Sequence, residues 1–402
     1  MISLNKVQKQ FIKILDASIH SRSIEDIYLE KAEWENLIEE AEAHKVSGLI
    51  YRGCRTNQIP DEVLTKWKKS VIMESYQQSE KVKKIASILE LCNQSKIEVI
   101  VLKGIVLRNL YPAADLRTMN DLDILVHEHQ LKEVEDLLIN QGYYKYTEDG
   151  EKHDVYIKSG WPMIEVHWML SHERTFKGCV EYEKSLWNRV REVEIQGVKT
   201  LTLGYNDFLL HLMIHMASHA ASRGFGIRFL TDIVLMIEKE SEKIDWEQFK
   251  LDLKQCEIER FSAIMLKCCE DLFDFKIPEA LSDLDYSNLK YLDQLQVEIL
   301  ESGVHGLREK GAVIAKEMAY DRETSSIFKR FMKFIFPPIH SMSEKYNYAK
   351  RNQIFVPVAW IHHLFAGLFN KEYELGEKLK IFFCGIHLTK KRSELIRWLE
   401  LE

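Results

Sequence analysis

The sequence predicts an α+β protein, mostly helical, with one small α/β unit set between two helical regions. Three observations lead there. The 402-residue chain holds only 17 glycines and 7 prolines, and long stretches rich in Glu, Lys and Leu repeat at helical spacing. A β-branched run, Glu98-Val99-Ile100-Val101-Leu102, interrupts them. A second apolar run, Asp121 to Val126, follows after a short helical segment. The division expected is 1–95 helical, 96–204 α/β, and 205–402 helical, the last closing over a cleft.

Each element has a local cause. In the first region Trp34, Leu37, Ile38 and Ala41 recur on one helical face, as do Ile85, Ile88, Leu89 and Cys92. Between them Asn57 to Asp61 reads as a loop and helix start. Lys103-Gly104 ends the first strand, Ile105 to Leu110 forms a short helix, and Tyr111-Pro112 breaks it. A helix runs from about Glu128 to Asn140 and stops at Gly142. Asp154 to Lys158, a Ser159-Gly160 turn, and Met163 to Trp168 read as a hairpin. Helices follow from about Asn206 to Ala221 and from Ile227 to Lys239.

Composition narrows the function classes. A net charge of −7 with 46% apolar and 29% charged residues is an ordinary soluble balance and a poor general binder of phosphate backbones. Seven scattered cysteines without a Cys-x-x-Cys pair suggest neither a disulfide framework nor a zinc ribbon. The first 20 residues read as an amphipathic helix, not a cleavable leader. The apolar stretch from Ile354 to Phe369 is too short to span a bilayer. The expectation is a cytoplasmic protein with no stable membrane insertion.

Asp121 and Asp123 stand two apart on a strand, so their carboxylates share a face. Two like charges held together call for a cation, and a divalent metal of a phosphoryl-transfer site is the natural solution. Glu165 on the later strand is the candidate third ligand, with Asp154 in reserve. The same acids could instead decorate an exposed strand. His167 follows Glu165 on the same face, either packing at the cleft edge or touching a phosphate or a ligand carboxylate, while Ile164, Val166 and Trp168 face the core. Gly104 sits at a strand-to-helix turn, where backbone N–H groups can approach a phosphate, and Lys103 and Arg117 could neutralise triphosphate oxygens. A plain tight turn and a solvated lysine are the bland readings of Lys103-Gly104.

The segment LKGIVLRNLYPAADLRTMNDLDILV resembles the motif of nucleotidyltransferases in the DNA-polymerase-β-like superfamily, most closely the bacterial group called uncharacterised nucleotidyltransferases. The resemblance rests on Leu102-Lys103-Gly104, Tyr111, Arg117, Asp121, Asp123, and then Glu165, His167 and Trp168. Lys-Gly and Arg also resemble toxin nucleotidyltransferases of abortive-infection systems. It implies a mixed sheet flanked by helices, a nucleoside triphosphate (ATP or another NTP) as donor, and Mg²⁺ or Mn²⁺ on Asp121, Asp123 and Glu165. Nucleotide binding would fall to Lys103, Gly104, Arg117 and His167. The acceptor stays open: a small molecule, a peptide or RNA, with tRNA or a protein as the target in the toxin-like alternative. A non-catalytic binding protein that keeps the fold is the remaining alternative. Ile105 departs from the Gly-Ser or Gly-Gly of many members, which removes a hydroxyl from the phosphate turn.

Two features stand outside the motif. His211, His215 and His219 are spaced by one helical turn, as a zinc row or as a polar seam between helices. Arg228 and Asp232, one turn apart, could pair. The basic residues Lys329, Arg330, Lys333, Lys345, Lys350 and Arg351 before the apolar stretch could meet RNA or a membrane surface, or simply solvate the approach to a packed helix.

Overall fold

A computed structural model describes residues 4–146, 153–170, 177–222, 224–303, 306–307, 332, 335–339, 342–368 and 392–401. Two compact units are present. The larger comprises Met1–Ser218 and Phe225–Val304, the smaller His219–Gly224 and His305–Glu402.

The larger unit opens with four helices: α1 (Lys6–Ile19), α2 (Lys31–Ala43), α3 (Ser47–Cys54) and α4 (Asp61–Gln94). Asn5 and Gln8 cap α1 reciprocally, satisfying two amide groups that a helix start leaves open. Trp34, Leu37 and Ala41 are buried as their spacing predicts. So are Ile85, Ile88, Leu89 and Cys92 of α4. Each large apolar side chain fully buried in this way stabilises by about 1.5–3 kcal/mol.

The sheet follows. Its strands are β1 (Val99–Val101), β2 (Asp121–Val126), β3 (Tyr144–Tyr146), β4 (His153–Ile157), β5 (Met163–His167), β6 (Val190–Ile195) and β7 (Val198–Leu203). They lie in the order β3-β4-β5-β2-β1-β7-β6. β2 runs parallel to β5 and β1 parallel to β7, while β1–β2, β3–β4, β4–β5 and β6–β7 are antiparallel. This mixed seven-stranded sheet with flanking helices is the α+β architecture the sequence predicts. The short helix α5 (Gly104–Leu107) links β1 towards β2, and α6 (Leu131–Asn140) links β2 to β3. The β6–β7 hairpin escapes the pattern analysis. It turns at Gln196-Gly197, both at positive φ (51° and 85°), which suits a tight two-residue hairpin turn.

Five longer helices complete the unit after α7 (Lys177–Glu183). They are α8 (Tyr205–Ser222), α9 (Arg228–Glu240), α10 (Trp246–Gln255), α11 (Glu259–Leu272) and α12 (Leu292–Glu301). His211 and His215 stack at 6.2 Å, and His215 lies on Phe229 at 5.5 Å. Among the described residues these histidines join no metal-ligating group.

In the smaller unit, Met342, Tyr346, Ala349 and Ala359 form a core around helices Asn347–Arg351 and Val356–Leu368. Ile354, Val358, Ile361 and Phe365 of the apolar stretch are exposed, not packed inward. Lys329, Arg330 and Lys333 lie outside the described residues. Among those described, no helix is long and apolar enough to cross a membrane.

Candidate active site

The site forms where β1 ends and β2 begins, between α5 and β5. Because β2 and β5 pair in parallel register, Asp123 stands directly opposite Glu165. Cross-strand partners share a face of the sheet, so the alternation that sets Asp121 and Asp123 on one side adds Glu165 to them. His167 lies two residues further along the same face. Ile164 and Val166 turn to the core, and Trp168 lies half-buried just past the strand. Asp154 sits opposite Val166, hence on the other face, where Lys145 holds it at 2.7 Å. It is not a substitute for Glu165.

Asp123 is the hub. It is 5% exposed. Lys103 Nζ donates to its Oδ1 at 2.8 Å, and His167 Nε2 lies 3.2 Å from the same oxygen and 3.4 Å from Glu165 Oε2. Burial alone would push the Asp123 carboxyl up, but Lys103 and His167 outweigh it and hold the group well below the usual carboxylate range. Asp121 lacks such a partner. Burial, and then the negative charge of Asp123, push its carboxyl up. Lys103, which burial would deprotonate, is kept charged by Asp123 and Glu165. Lys103 thus pairs directly with Asp123 while Arg228 and Lys81 act on Asp121 at longer range, and a divalent cation would relieve the repulsion among the three carboxylates.

Asp123, Glu165 and His167 each offer a ligand atom within 4.8 Å of the others. Two carboxylates and an imidazole are a donor set that a divalent ion can use. The residues present therefore fit a divalent ion. The expected trio was Asp121, Asp123 and Glu165; the tight group contains His167 in place of Asp121, which stands one step along the face.

The backbone at this point is unusual. Lys103 adopts φ 50° and ψ −123°, a conformation that costs a non-glycine residue of order 1–3 kcal/mol and persists where the surroundings enforce it. The Asp123 contact is one such constraint. Gly104 has a packing reason as well. A Cβ there would meet Arg117 Nη1 at 3.1 Å and Met119 Cβ at 3.3 Å. The helix it opens is only four residues long, so its dipole offers little to an anion.

Arg117 departs from the expectation of a triphosphate ligand. It is buried, and all three of its guanidinium nitrogens have protein partners. Nε and Nη2 donate to the two Asp232 carboxylate oxygens at 2.9 and 2.7 Å, and Nη1 donates to the Thr118 carbonyl at 2.8 Å. The Tyr111 hydroxyl also donates to Asp232, at 2.6 Å. Asp232 therefore pairs with Arg117 from over a hundred residues away, not with Arg228 one turn before it. Arg228 instead donates to the Thr118 carbonyl at 3.1 Å.

Sequence reasoning missed α4 as a wall of the site. Gln78 brackets Met119, giving to its carbonyl at 3.1 Å and receiving from its amide at 3.0 Å. Lys81 donates to the Met119 carbonyl and to Asn120 Oδ1, both at 3.2 Å. These contacts fix Met119 and Asn120, the two residues that lead into Asp121. Their helical spacing, 78 and 81, carries no signal of what lies opposite. His153 was also missed; its ring lies 4.8 Å from that of His167, across the β4–β5 pair.

The profile of a family described as uncharacterised nucleotidyltransferase matches residues 30–274, which takes in every residue of the site. No curated protein matches. Among solved structures, the antibiotic-resistance factor ANT(2'')-Ia is similar over 46% of this chain and 96% of its own, at 12% identity and a TM-score of 0.33. An antigenic nucleotidyltransferase-like protein from Paracoccidioides brasiliensis is similar over 40% of this chain and 77% of its own, at 15% identity and a TM-score of 0.30.

Proposed function

The chain belongs to the uncharacterised nucleotidyltransferase family, and from that premise we propose that it is a metal-dependent enzyme of the DNA-polymerase-β-like superfamily. It transfers a nucleoside monophosphate from an NTP to an acceptor. The acceptor's nucleophile bonds to the α-phosphorus, the bond from that phosphorus to the β-phosphate's bridging oxygen breaks, and pyrophosphate leaves. The observation that carries this reading is the Asp123–Glu165 register, which gathers carboxylates and His167 on one face of the sheet.

In this reading Asp121, Asp123 and Glu165 hold Mg²⁺ or Mn²⁺. A bound divalent ion supplies Lewis-acid polarisation of the α-phosphate and neutralises charge developing on its oxygens. Glu165, the most accessible of the buried group, faces the acceptor side and takes up its proton. Lys103 orients Asp123 and, with its ammonium already in the site, contributes positive charge to the triphosphate. His167 orients Asp123 and Glu165 by bridging them. Arg117 acts as a positioning residue: by holding Asp232 and the Thr118 carbonyl it sets the path of the chain into Asp121.

The test is nucleotide binding read as stability. With Mg²⁺ or Mn²⁺, a saturating NTP should raise the melting temperature; ligand at 100 times its dissociation constant contributes roughly 2.7 kcal/mol. Asp123→Asn should lose that shift. If no NTP with either metal moves the melting temperature of the unaltered protein, the reading fails.

A further inference from the structure

Among the described residues, three cations around the segment that leads into Asp121 have no carboxylate within ion-pair distance: Lys45, Lys81 and Arg228. Two buried cations beside them are neutralised, Lys103 by Asp123 and Arg117 by Asp232. The three are tied to one short segment. Arg228 and Lys81 donate to the carbonyls of Thr118 and Met119, and the Thr118 hydroxyl donates to the Lys45 carbonyl at 3.1 Å. That segment runs straight into Asp121 at the head of β2.

Their charges are felt together. Glu74, on α4, faces all three; burial pushes its carboxyl up despite the pull of Lys45, Lys81 and Arg228. Glu42 adds a second negative charge there. Burial and the adjacent Arg117 pull the Arg228 guanidinium down to about 10, the mark of a cation crowded by another cation. Lys81 is likewise lowered by burial, against the opposing pull of Asp121 and Glu74. A half-buried guanidinium with donors to spare, on the carbonyl next to the one that holds the Lys81 ammonium, wants an anion with several oxygens.

We propose that Arg228, Lys81 and Lys45 form the subsite that receives the β- and γ-phosphates of the nucleotide, and so the departing pyrophosphate. This rests on the nucleotidyl-transfer reading and extends it. The role expected of Arg117 passes to Arg228, its neighbour on the Thr118 carbonyl, because Asp232 has already claimed Arg117. The phosphate chain then runs from the Asp121–Asp123 face towards α4 and the start of α9. The subsite recognises phosphate oxygens and no base, so inorganic tripolyphosphate is a sufficient probe.

Isothermal titration with tripolyphosphate, and separately with ATP and Mg²⁺, tests it. The unaltered protein should bind tripolyphosphate. Arg228→Gln and Lys81→Gln should each weaken that binding on the order of 10- to 100-fold, as loss of a charge-assisted contact does. Arg228→Lys should recover part of it. Lys83→Gln, which removes an exposed lysine paired with Glu80 one residue-pair away on α4, should leave it unchanged. Should Arg228→Gln not fold, Arg228→Lys and Lys81→Gln decide alone. Tripolyphosphate affinity unchanged in the Arg228 and Lys81 variants, or absent from the unaltered protein, overturns the subsite. Tripolyphosphate binding that depends on Arg228, in a protein that binds no nucleotide, would keep the subsite and sink the nucleotidyl-transfer reading instead.

Discussion

Asp123 and Glu165 are direct partners across the parallel β2–β5 pair, and His167 Nε2 lies between them, 3.2 Å from one carboxylate and 3.4 Å from the other. Two acids 42 positions apart in the chain are thus neighbours because of strand register. A one-residue slip of β5 would turn Glu165 to the core and Ile164 or Val166 to the site. The burial of Ile164 and Val166 is what locks the register, so the hydrophobic core and the catalytic geometry are specified by the same alternation.

Glu165→Gln should abolish transfer while leaving the fold intact, since it is nearly isosteric and removes only charge. Asp123→Asn should do the same, and the double variant should be no worse than either single one, because residues that act as a unit fail together. Transfer rates together with far-ultraviolet circular dichroism check this. Additive losses would mean that the two carboxylates act separately.

His167→Ala should lower transfer about 10–100-fold, the usual effect of losing a group that orients metal-binding carboxylates. The loss should be far smaller than for Asp121→Asn or Asp123→Asn. Steady-state rates of the three variants side by side decide the ranking. A fully active His167→Ala protein would leave the ring a packing role only.

Arg117→Met should destabilise by about 3–5 kcal/mol, because it strands the buried Asp232 carboxylate. Arg117→Lys should not rescue it, since one ammonium cannot meet both oxygens as the guanidinium does. Thermal unfolding of the two variants measures this. A melting temperature near that of the unaltered protein would show that the Arg117–Asp232 pair is not holding the segment before Asp121.

His20 offers a stability switch away from the site. Its ring bridges Asp16 and Glu238 at 3.1 Å each, and those hydrogen bonds raise its pKa to about 10 despite burial. A histidine whose folded pKa is raised stabilises fully below its unfolded value of about 6.5, and the contribution is lost as pH rises towards 10. The melting temperature of the unaltered protein should therefore exceed that of His20→Gln at pH 6, and the gap should narrow steadily to pH 10. A gap constant with pH would contradict the bridge.

Much of the site is legible in the sequence, and the reason is local. Asp121 and Asp123 declare their shared face by spacing alone, and Lys103-Gly104 marks the strand end. The sheet strands β2, β4 and β5 follow from apolar runs and a Ser-Gly turn. What stays hidden depends on distant packing. Nothing near Arg117 reveals that Asp232 neutralises it, and nothing in α4 reveals that Gln78 and Lys81 grip the residues before Asp121. Both contacts join segments separated by helices, so no window of the sequence contains them. The β6–β7 hairpin is a different case. Its alternation of apolar and charged residues around Gln196-Gly197 is local and readable, and the signal is weak only because the strands are half-buried.

The central claim, nucleotidyl transfer at the Asp121–Asp123–Glu165 face, is tested most directly by following label. The protein is incubated with Mg²⁺ or Mn²⁺, a cell extract, and each NTP labelled either at the α- or at the γ-phosphate. The account expects α-label to become attached to an acceptor, γ-label to leave with pyrophosphate, and both to be absent with Asp123→Asn. Attachment of γ-label, or α-label transfer undiminished in Asp123→Asn, would contradict it.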